Sequence, residues 1–157
     1  MKRRTILFAM NTKTPDAQIS DAAEAAAQND TRLICLLIDG APDSPHCVSL
    51  YGISGIPDYW AEMVPKVKEA QEARVQQIEA LLAKSNASGI VQSAICAAIE
   101  VKHVVARAAH VSDEAYVAAN LRDTPDILRE VVSGVLFHSP IGFQMNRARC
   151  KRPQPSF

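Results

Sequence analysis

The chain has 157 residues, a length that suits one domain with a single hydrophobic core. Lys and Arg together number 17, as do Asp and Glu, so no net charge attracts nucleic acid or an anionic membrane surface. No apolar run approaches the roughly 18 residues of a membrane span, and the run after the basic start is far too short for a signal peptide. We therefore expect a cytoplasmic protein that binds neither nucleic acid nor membrane.

Short apolar runs alternate with helical patterns along the chain. Buried strands are predicted over residues 5–10, 32–39, 90–99, 114–120 and 140–145. Helices are predicted between them, over residues 14–30, 100–110 and 124–138, together with a long one in which Pro65 either opens the helix or kinks one begun near Asp58. Strands separated by helices predict a parallel sheet with right-handed crossovers and helices on both faces.

The first and last helices are predicted to begin with the same tripeptide, Thr-Pro-Asp, at residues 14–16 and 124–126. Thr14 is the expected N-cap of the first, and Pro15 occupies its first helical position. In both helices an Asp complements the positive end of the helix dipole, while Pro removes one donor N–H. A phosphate at either helix start would therefore meet a negative charge and one donor fewer.

Three stretches resemble the universal stress protein family. Residues 3–42 are similar to that family's first strand, first helix and second strand, and residues 56–83 to the loop and helix that follow. "ILREVVSGVLFHSP", residues 127–140, is similar to its closing helix. The resemblance implies an open five-stranded parallel sheet in the order 3-2-1-4-5, the adenine nucleotide alpha hydrolase-like fold. Ligands are then expected at the carboxyl ends of strands 1 and 4.

Residues 1–146 are predicted to form this one domain, and residues 147–157 a disordered tail. The family would continue the last strand as an apolar run, and its tandem members would begin a second domain. The tail departs from both patterns. We interpret the chain as a truncated or frame-shifted first half of a longer tandem protein.

The glycines of the family's phosphate-binding motif are missing. Nucleotide-binding members carry an acidic residue after strand 1, where this chain has Asn11, and a Gly-x2-Gly-x9-Gly-Ser/Thr pattern after strand 4. The first two glycines fall on Ala119 and Arg122, and the final pair falls near Arg129 and Glu130. Glycine lets the backbone approach phosphate oxygens and adopt positive φ, which these residues do only at a cost. The sequence therefore predicts no ATP binding and no cofactor.

A ligand crevice is still expected at the same edge of the sheet. The amides of Asn11 and Asn120 either recognise a polar ligand or satisfy the backbone of the turns. Arg122 and Arg129 either clamp an anion or remain solvated cations at the rim of the sheet. The candidate crevice residues are Asn11, Ile38, Ala119, Asn120 and Arg122.

No motif for a metal or for catalysis is present. His46 and Cys47 are adjacent but have no second pair, and His103 and His110 share a helical face with no carboxylate or Cys to complete a metal site. His138 is placed to complement a helix C-terminus. GxSxG is absent, and no Ser/His/Asp set can be assembled from local signals. We expect neither a metal site nor an enzyme.

Two functions fit this pattern. The first is a non-enzymatic stress-response protein of the universal stress type, which acts as a dimer through protein contacts and without ATP. The alternative is a diverged nucleotide or small-metabolite binding module on the same fold. Fold alone carries neither function.

The last predicted strand, 140–145, is the expected dimer contact. It forms an open sheet edge, and no Lys or Glu blunts it. The resemblance implies that it pairs antiparallel with its two-fold mate to form a homodimer. Tyr51, Tyr59 and Trp60 lie in the long loop between residues 40 and 60. They either line a small-molecule pocket or bury against a partner subunit, or Trp60 simply anchors the loop on the core.

Overall fold

Five strands and four α-helices alternate along the chain in the computed structural model. The structure describes residues 2–41 and 58–145, and in the second range it describes side chains from residue 62 onward. The strands are β1 (Thr5–Met10), β2 (Arg32–Gly40), β3 (Gly89–Cys96), β4 (Glu114–Val117) and β5 (Gly142–Met145). The helices are α1 (Asp16–Gln28), α2 (Asp58–Lys84), α3 (Ala98–Ala109) and α4 (Pro125–His138), with a short 3-10 helix (Ala119–Asp123) between β4 and α4.

The strands form one parallel sheet in the order β3-β2-β1-β4-β5, which confirms the predicted fold class. The chain runs outward from β1 through β2 to β3, then crosses to the other side of β1 and continues through β4 to β5. The direction in which successive strands are added to the sheet therefore reverses between β1 and β4. In open α/β sheets ligands bind at such a reversal, outside the carboxyl ends of the strands.

The core is built around the two strands at the centre of the sheet. Every residue of β1 from Leu7 to Met10 and every residue of β2 from Leu33 to Ile38 is buried. Helices cover both faces of these strands, so apolar side chains are favoured at every position rather than at alternate ones. This burial explains why both strands appear in the sequence as unbroken apolar runs.

The helices pack as two pairs, α1 with α2 and α3 with α4. Ile19, Ala23 and Ala26 form the buried side of α1. Gly134 of α4 lies directly against the backbone of α3 at Lys102, where a Cβ would come within 2.6 Å of the Lys102 carbonyl oxygen. The α3–α4 pair is therefore held at a distance that only glycine permits at that position. Among the described residues, no helix combines the length and apolar character that a membrane crossing requires.

Several element boundaries differ from the sequence prediction. The N-cap of α1 is Pro15, with no side-chain cap, so the prediction of Thr14 as the N-cap was wrong. The Thr14 hydroxyl instead accepts a hydrogen bond from the Asn11 backbone N–H. Helix α2 begins at Asp58 and contains Pro65 in its interior, which is the second of the two predicted alternatives.

β4 is three residues shorter than predicted. Its last contact with β1 is the hydrogen bond from the Ala118 N–H to the Ala9 carbonyl, because the chain leaves β1 after Met10 and offers no further partner. Residues 119 and 120, predicted as strand, therefore enter the 3-10 helix. The predictions for His46, Cys47, Tyr51 and the tail from residue 147 concern residues outside the described ranges, and so do those for the side chains of Tyr59 and Trp60.

Candidate functional site

Two asparagine side chains meet at the point where β1 and β4 end. Asn11 follows β1 directly, and Asn120 lies in the 3-10 helix after β4. The Asn120 Nδ2 donates a hydrogen bond of 2.8 Å to the Asn11 Oδ1, so residues 109 positions apart form an amide pair across the switch point. The sequence prediction placed both residues in one crevice, and the sheet topology brings them into contact.

Thr14 joins this amide pair to the turn after β1. Its hydroxyl accepts from the Asn11 N–H at 3.0 Å and donates to the Asn120 Oδ1 at 2.9 Å. The Asn11 Oδ1 also accepts from the Lys13 N–H at 3.0 Å. Thr14 is 1% exposed and Asn11 is 7% exposed. The Asn11 amide thus satisfies a backbone N–H of the turn after β1, while the Asn120 amide is hydrogen-bonded to the side chains of Asn11 and Thr14.

Asp39 closes the neighbouring part of the crevice, at the end of β2. One carboxylate oxygen accepts from the Thr12 N–H and hydroxyl at 3.2 and 2.9 Å, and the other accepts from the Gln71 Nε2 at 2.9 Å. Gln71 also donates to the Ala94 carbonyl at 3.0 Å, and it is 5% exposed although polar. A buried glutamine of α2 therefore connects the carboxyl ends of β2 and β3.

Arg74, one turn beyond Gln71 on α2, reaches the start of α1. Its Nη2 donates to the Thr14 carbonyl at 2.6 Å and lies 2.7 Å from the Asp16 carboxylate. Only 12% of the side chain is exposed, and the Nε is, within the described part of the chain, a buried donor without a hydrogen-bond partner. Arg74 thus neutralises the Asp16 carboxylate at the N-terminus of α1 and links α2 to the turn that follows β1.

The sequence analysis did not identify Asp39, Gln71 or Arg74. The sequence did contain a signal for Gln71 and Arg74. Both lie on the same helical face as Ile78, an apolar residue that predicts that this face is buried. Polar side chains on an otherwise buried face need partners inside the protein. Which partners they find depends on how α2 sits on the sheet, and no local pattern encodes that placement.

The loop after β4 is a right-handed turn rather than a phosphate-binding nest. The N–H groups of Leu121 and Thr124 donate to backbone carbonyls within the turn, and the Ala119 N–H donates to the Gln18 Oε1 at 3.2 Å. Within residues 2–41 and 58–145, the non-glycine residues with positive φ are Asp30 and Asn86, both remote from this loop. These three N–H groups are therefore already paired, and the loop has no residue in the positive-φ conformation that an anion nest uses.

The remaining predicted crevice residues do not converge. Ile38 is 1% exposed and belongs to the core. The Arg122 guanidinium lies against the Met145 sulfur, at 3.1 and 3.2 Å from two of its nitrogens. Arg129 faces carboxylates on its own helix, at 3.7 Å from Asp126 and 3.4 Å from Glu130. The structure thus directs the two arginines to different partners.

In the described ranges the free cysteines are Cys35, which is buried, and Cys96, which is partly buried. Burial raises the pKa of the Cys35 thiol to about 12, which suppresses the nucleophilic thiolate at neutral pH. Burial, and then the negative charge of Glu100, raise the pKa of Cys96. The described residues contain no group of three or more His, Cys, Asp or Glu side chains that could hold a metal ion.

Several solved structures of universal stress proteins share this arrangement of elements. One from Burkholderia pseudomallei matches with a TM-score of 0.61 and 17% identity, over 92% of this chain and 96% of that chain. The universal stress protein UspA from Lactobacillus plantarum matches with a TM-score of 0.60 and 16% identity, over 94% and 100% of the two chains. The chain has the universal stress protein fold. No protein-family model and no curated protein matched the sequence.

Some universal stress protein structures of this fold contain adenine nucleotides. One from Archaeoglobus fulgidus, in complex with dAMP, matches with a TM-score of 0.52 and 15% identity over 94% of this chain and 100% of that chain. Another is in complex with cAMP and matches with a TM-score of 0.52 and 11% identity. At such low identity the universal stress protein fold is common to these chains, while the side chains at the switch point must be compared on their own chemistry.

Proposed function

We propose that this protein is a non-enzymatic stress-response protein of the universal stress type, which acts as a dimer through protein contacts and without binding ATP. The observation that carries the ATP-free part is the closed network at the switch point. Asn11, Thr14, Asn120, Asp39 and Gln71 donate to and accept from one another or from the local backbone. A nucleotide would have to break these hydrogen bonds before it gained any of its own.

The charges at the switch point also disfavour the binding of a phosphate group. Asp16 and Asp126 occupy the first turns of α1 and α4, where an unliganded N-terminus would attract phosphate. The Asp16 carboxylate also engages Arg74, a nearby cation that would otherwise be free to bind phosphate. An entering triphosphate would therefore meet an Asp16–Arg74 ion pair at α1, the Asp126 carboxylate at α4, and no glycine-rich loop.

Isothermal titration of the purified protein with Mg-ATP tests this proposal. We expect no saturable heat, whereas a nucleotide-binding universal stress protein measured in the same buffer should show it. Micromolar affinity for Mg-ATP, or an adenine nucleotide that co-purifies, would contradict the ATP-free function. Titrations with cAMP and dAMP belong in the same series, because those nucleotides are bound in structures that share the fold.

A groove beside α1 favours the alternative function, a small-metabolite binding module. The groove has a volume of about 960 Å³ and runs between α1 and the sheet, with Phe8 and Tyr116 on the sheet side and Ala22 and Ala25 on the helix side. Cavities of roughly 300–1,000 Å³ accommodate small ligands, and the short alanine side chains leave this one open. The groove lies along the helix, and its lining includes Gln18 and Ala119 but none of the five side chains of the closed network.

Replacing Ala25 with Leu tests the groove. Ala25 is exposed and lines the groove, so a larger side chain should narrow the groove without disturbing the core. Ala27→Leu is the matched control, since Ala27 is exposed on the same helix but does not line the groove. Native mass spectrometry should detect a bound small molecule in the wild type and in Ala27→Leu, and none in Ala25→Leu. A wild-type protein without a bound molecule would count against this alternative.

A further inference from the structure

Two histidines from different helices meet on the surface of the α3–α4 pair. The ring centroids of His103 and His138 are 6.1 Å apart, and the ring planes are inclined by 52°. Both side chains are exposed. His103 lies in the middle of α3 and His138 is the last residue of α4, so the sequence, in which they are 35 positions apart, did not suggest the pair.

Gly134 explains why the two rings come so close. It lies one turn before His138 and packs against the backbone of Lys102, the residue before His103. A Cβ at position 134 would also come within 3.1 Å of the Val105 Cβ. The helices are therefore in close backbone contact next to the residues that carry the histidines.

Imidazole pairs at this separation can share a metal ion. With Zn–N bonds of about 2.1 Å, two imidazoles at a tetrahedral angle have ring centroids roughly 5 Å apart, and at a wider angle roughly 6 Å apart. The observed separation lies at the upper end of this range, which a small side-chain rotation can adjust. The negative end of the α4 dipole, at His138, also stabilises positive charge at this position.

We propose that His103 and His138 bind a divalent late transition-metal ion that bridges α3 and α4, with water completing its coordination. Neutral imidazole nitrogens favour Zn²⁺, Ni²⁺ and Cu²⁺, while Mg²⁺ and Ca²⁺ prefer oxygen ligands. Within the described part of the chain no third His, Cys, Asp or Glu side chain completes a group around the pair. The positive charges of Lys102 and Arg107, next to His103 and one turn beyond it, oppose the ion, so we expect an exchangeable ion rather than a permanent one.

Thermal unfolding of the full chain with and without ZnCl₂ tests the site. An ion that bridges two helices binds only the folded state, so a hundredfold excess over its Kd should raise the Tm by about 5 °C or more. His103→Ala and His138→Ala should each abolish the increase. His110→Ala is the matched control, because His110 is exposed and follows α3 directly but is not part of the pair. It should retain the full increase.

Two further measurements separate a bridging ion from general surface binding. MgCl₂ should leave the Tm unchanged, and EDTA should return the zinc-treated protein to its starting Tm. In NMR spectra, substoichiometric Ni²⁺ should broaden the ring signals of His103 and His138 before those of His110. The proposal is wrong if the wild type shows no increase in Tm with zinc, or if the His103→Ala/His138→Ala variant shows the same increase as the wild type.

Discussion

Thr14 shows how one side chain determines the chemistry of the switch point. Its hydroxyl accepts from the Asn11 N–H and donates to the Asn120 side chain, and the residue is almost fully buried. A helix cap would have placed that hydroxyl at the start of α1. Because the turn after β1 uses it instead, Pro15 takes the N-cap position with no side-chain hydrogen bond.

Replacing Thr14 with Val should destabilise the protein by about 1–3 kcal/mol. Valine has nearly the same shape, but it leaves the Asn11 N–H and the Asn120 Oδ1 without their buried partner. Urea denaturation followed by circular dichroism measures the change. Thr14→Ser keeps the hydroxyl and should lose clearly less stability; equal loss in the two variants would show that the methyl group, and not the hydrogen bonds, is what matters.

At the level of the elements, the fit between α3 and α4 depends on Gly134. The sequence contains a glycine in the middle of a predicted helix, where it is unfavourable by roughly 1 kcal/mol relative to alanine. The structure supplies the reason, because the Lys102 backbone occupies the space of a side chain. Close packing of the two helices outweighs the loss of helix propensity.

Gly134→Ala should therefore destabilise the protein by about 1–3 kcal/mol, although alanine is the better helix former. The added Cβ meets backbone at 2.6 Å, and backbone cannot move aside as a flexible side chain would. Gly142→Ala is the control, since no atom lies within 4 Å of a Cβ at that position in β5. Urea denaturation should separate the two variants; a neutral Gly134→Ala would mean that the helices can move apart freely.

For the whole molecule, the proposed homodimer depends on β5, an edge strand of the sheet. An unpaired edge strand has backbone groups that can pair with another copy. Phe143 of this strand is half-buried and packs against the core, while Gly142 and Gln144 are exposed. A charge at Phe143 would therefore disturb folding as well as assembly, and the exposed pair is the better place to test the interface.

The double variant Gly142→Lys/Gln144→Lys should be monomeric, because antiparallel pairing about a two-fold axis would bring like charges together. Light scattering coupled to size-exclusion chromatography measures the mass. Gln92→Lys/Ser93→Lys places the same two charges on exposed positions of β3, at the other edge of the sheet, and should leave the dimer intact. A dimer that survives the changes in β5 but not those in β3 would move the interface to the opposite edge.

The sequence by itself determined the class and order of the elements. β1 and β2 are buried on both faces, so each is an unbroken apolar run, and the alternation with helices is visible without the structure. The sequence also shows that the loop after β4 lacks the glycines of a phosphate-binding loop. This could be seen without the structure, because the need for glycine depends on the local backbone conformation. The strand order, and the placement of Asn11 and Asn120 at one crevice, followed from a resemblance to proteins of known topology.

Only the tertiary structure decided which polar side chains meet. Asp39, Gln71 and Arg74 become one network with the turn after β1 because the part of α2 that carries Gln71 and Arg74 packs beside the carboxyl ends of β1, β2 and β3. His103 and His138 become neighbours because Gly134 admits the backbone of α3. Periodicity in a sequence reports which face of an element is buried, but the partner on that face is set by packing between segments that are distant along the chain.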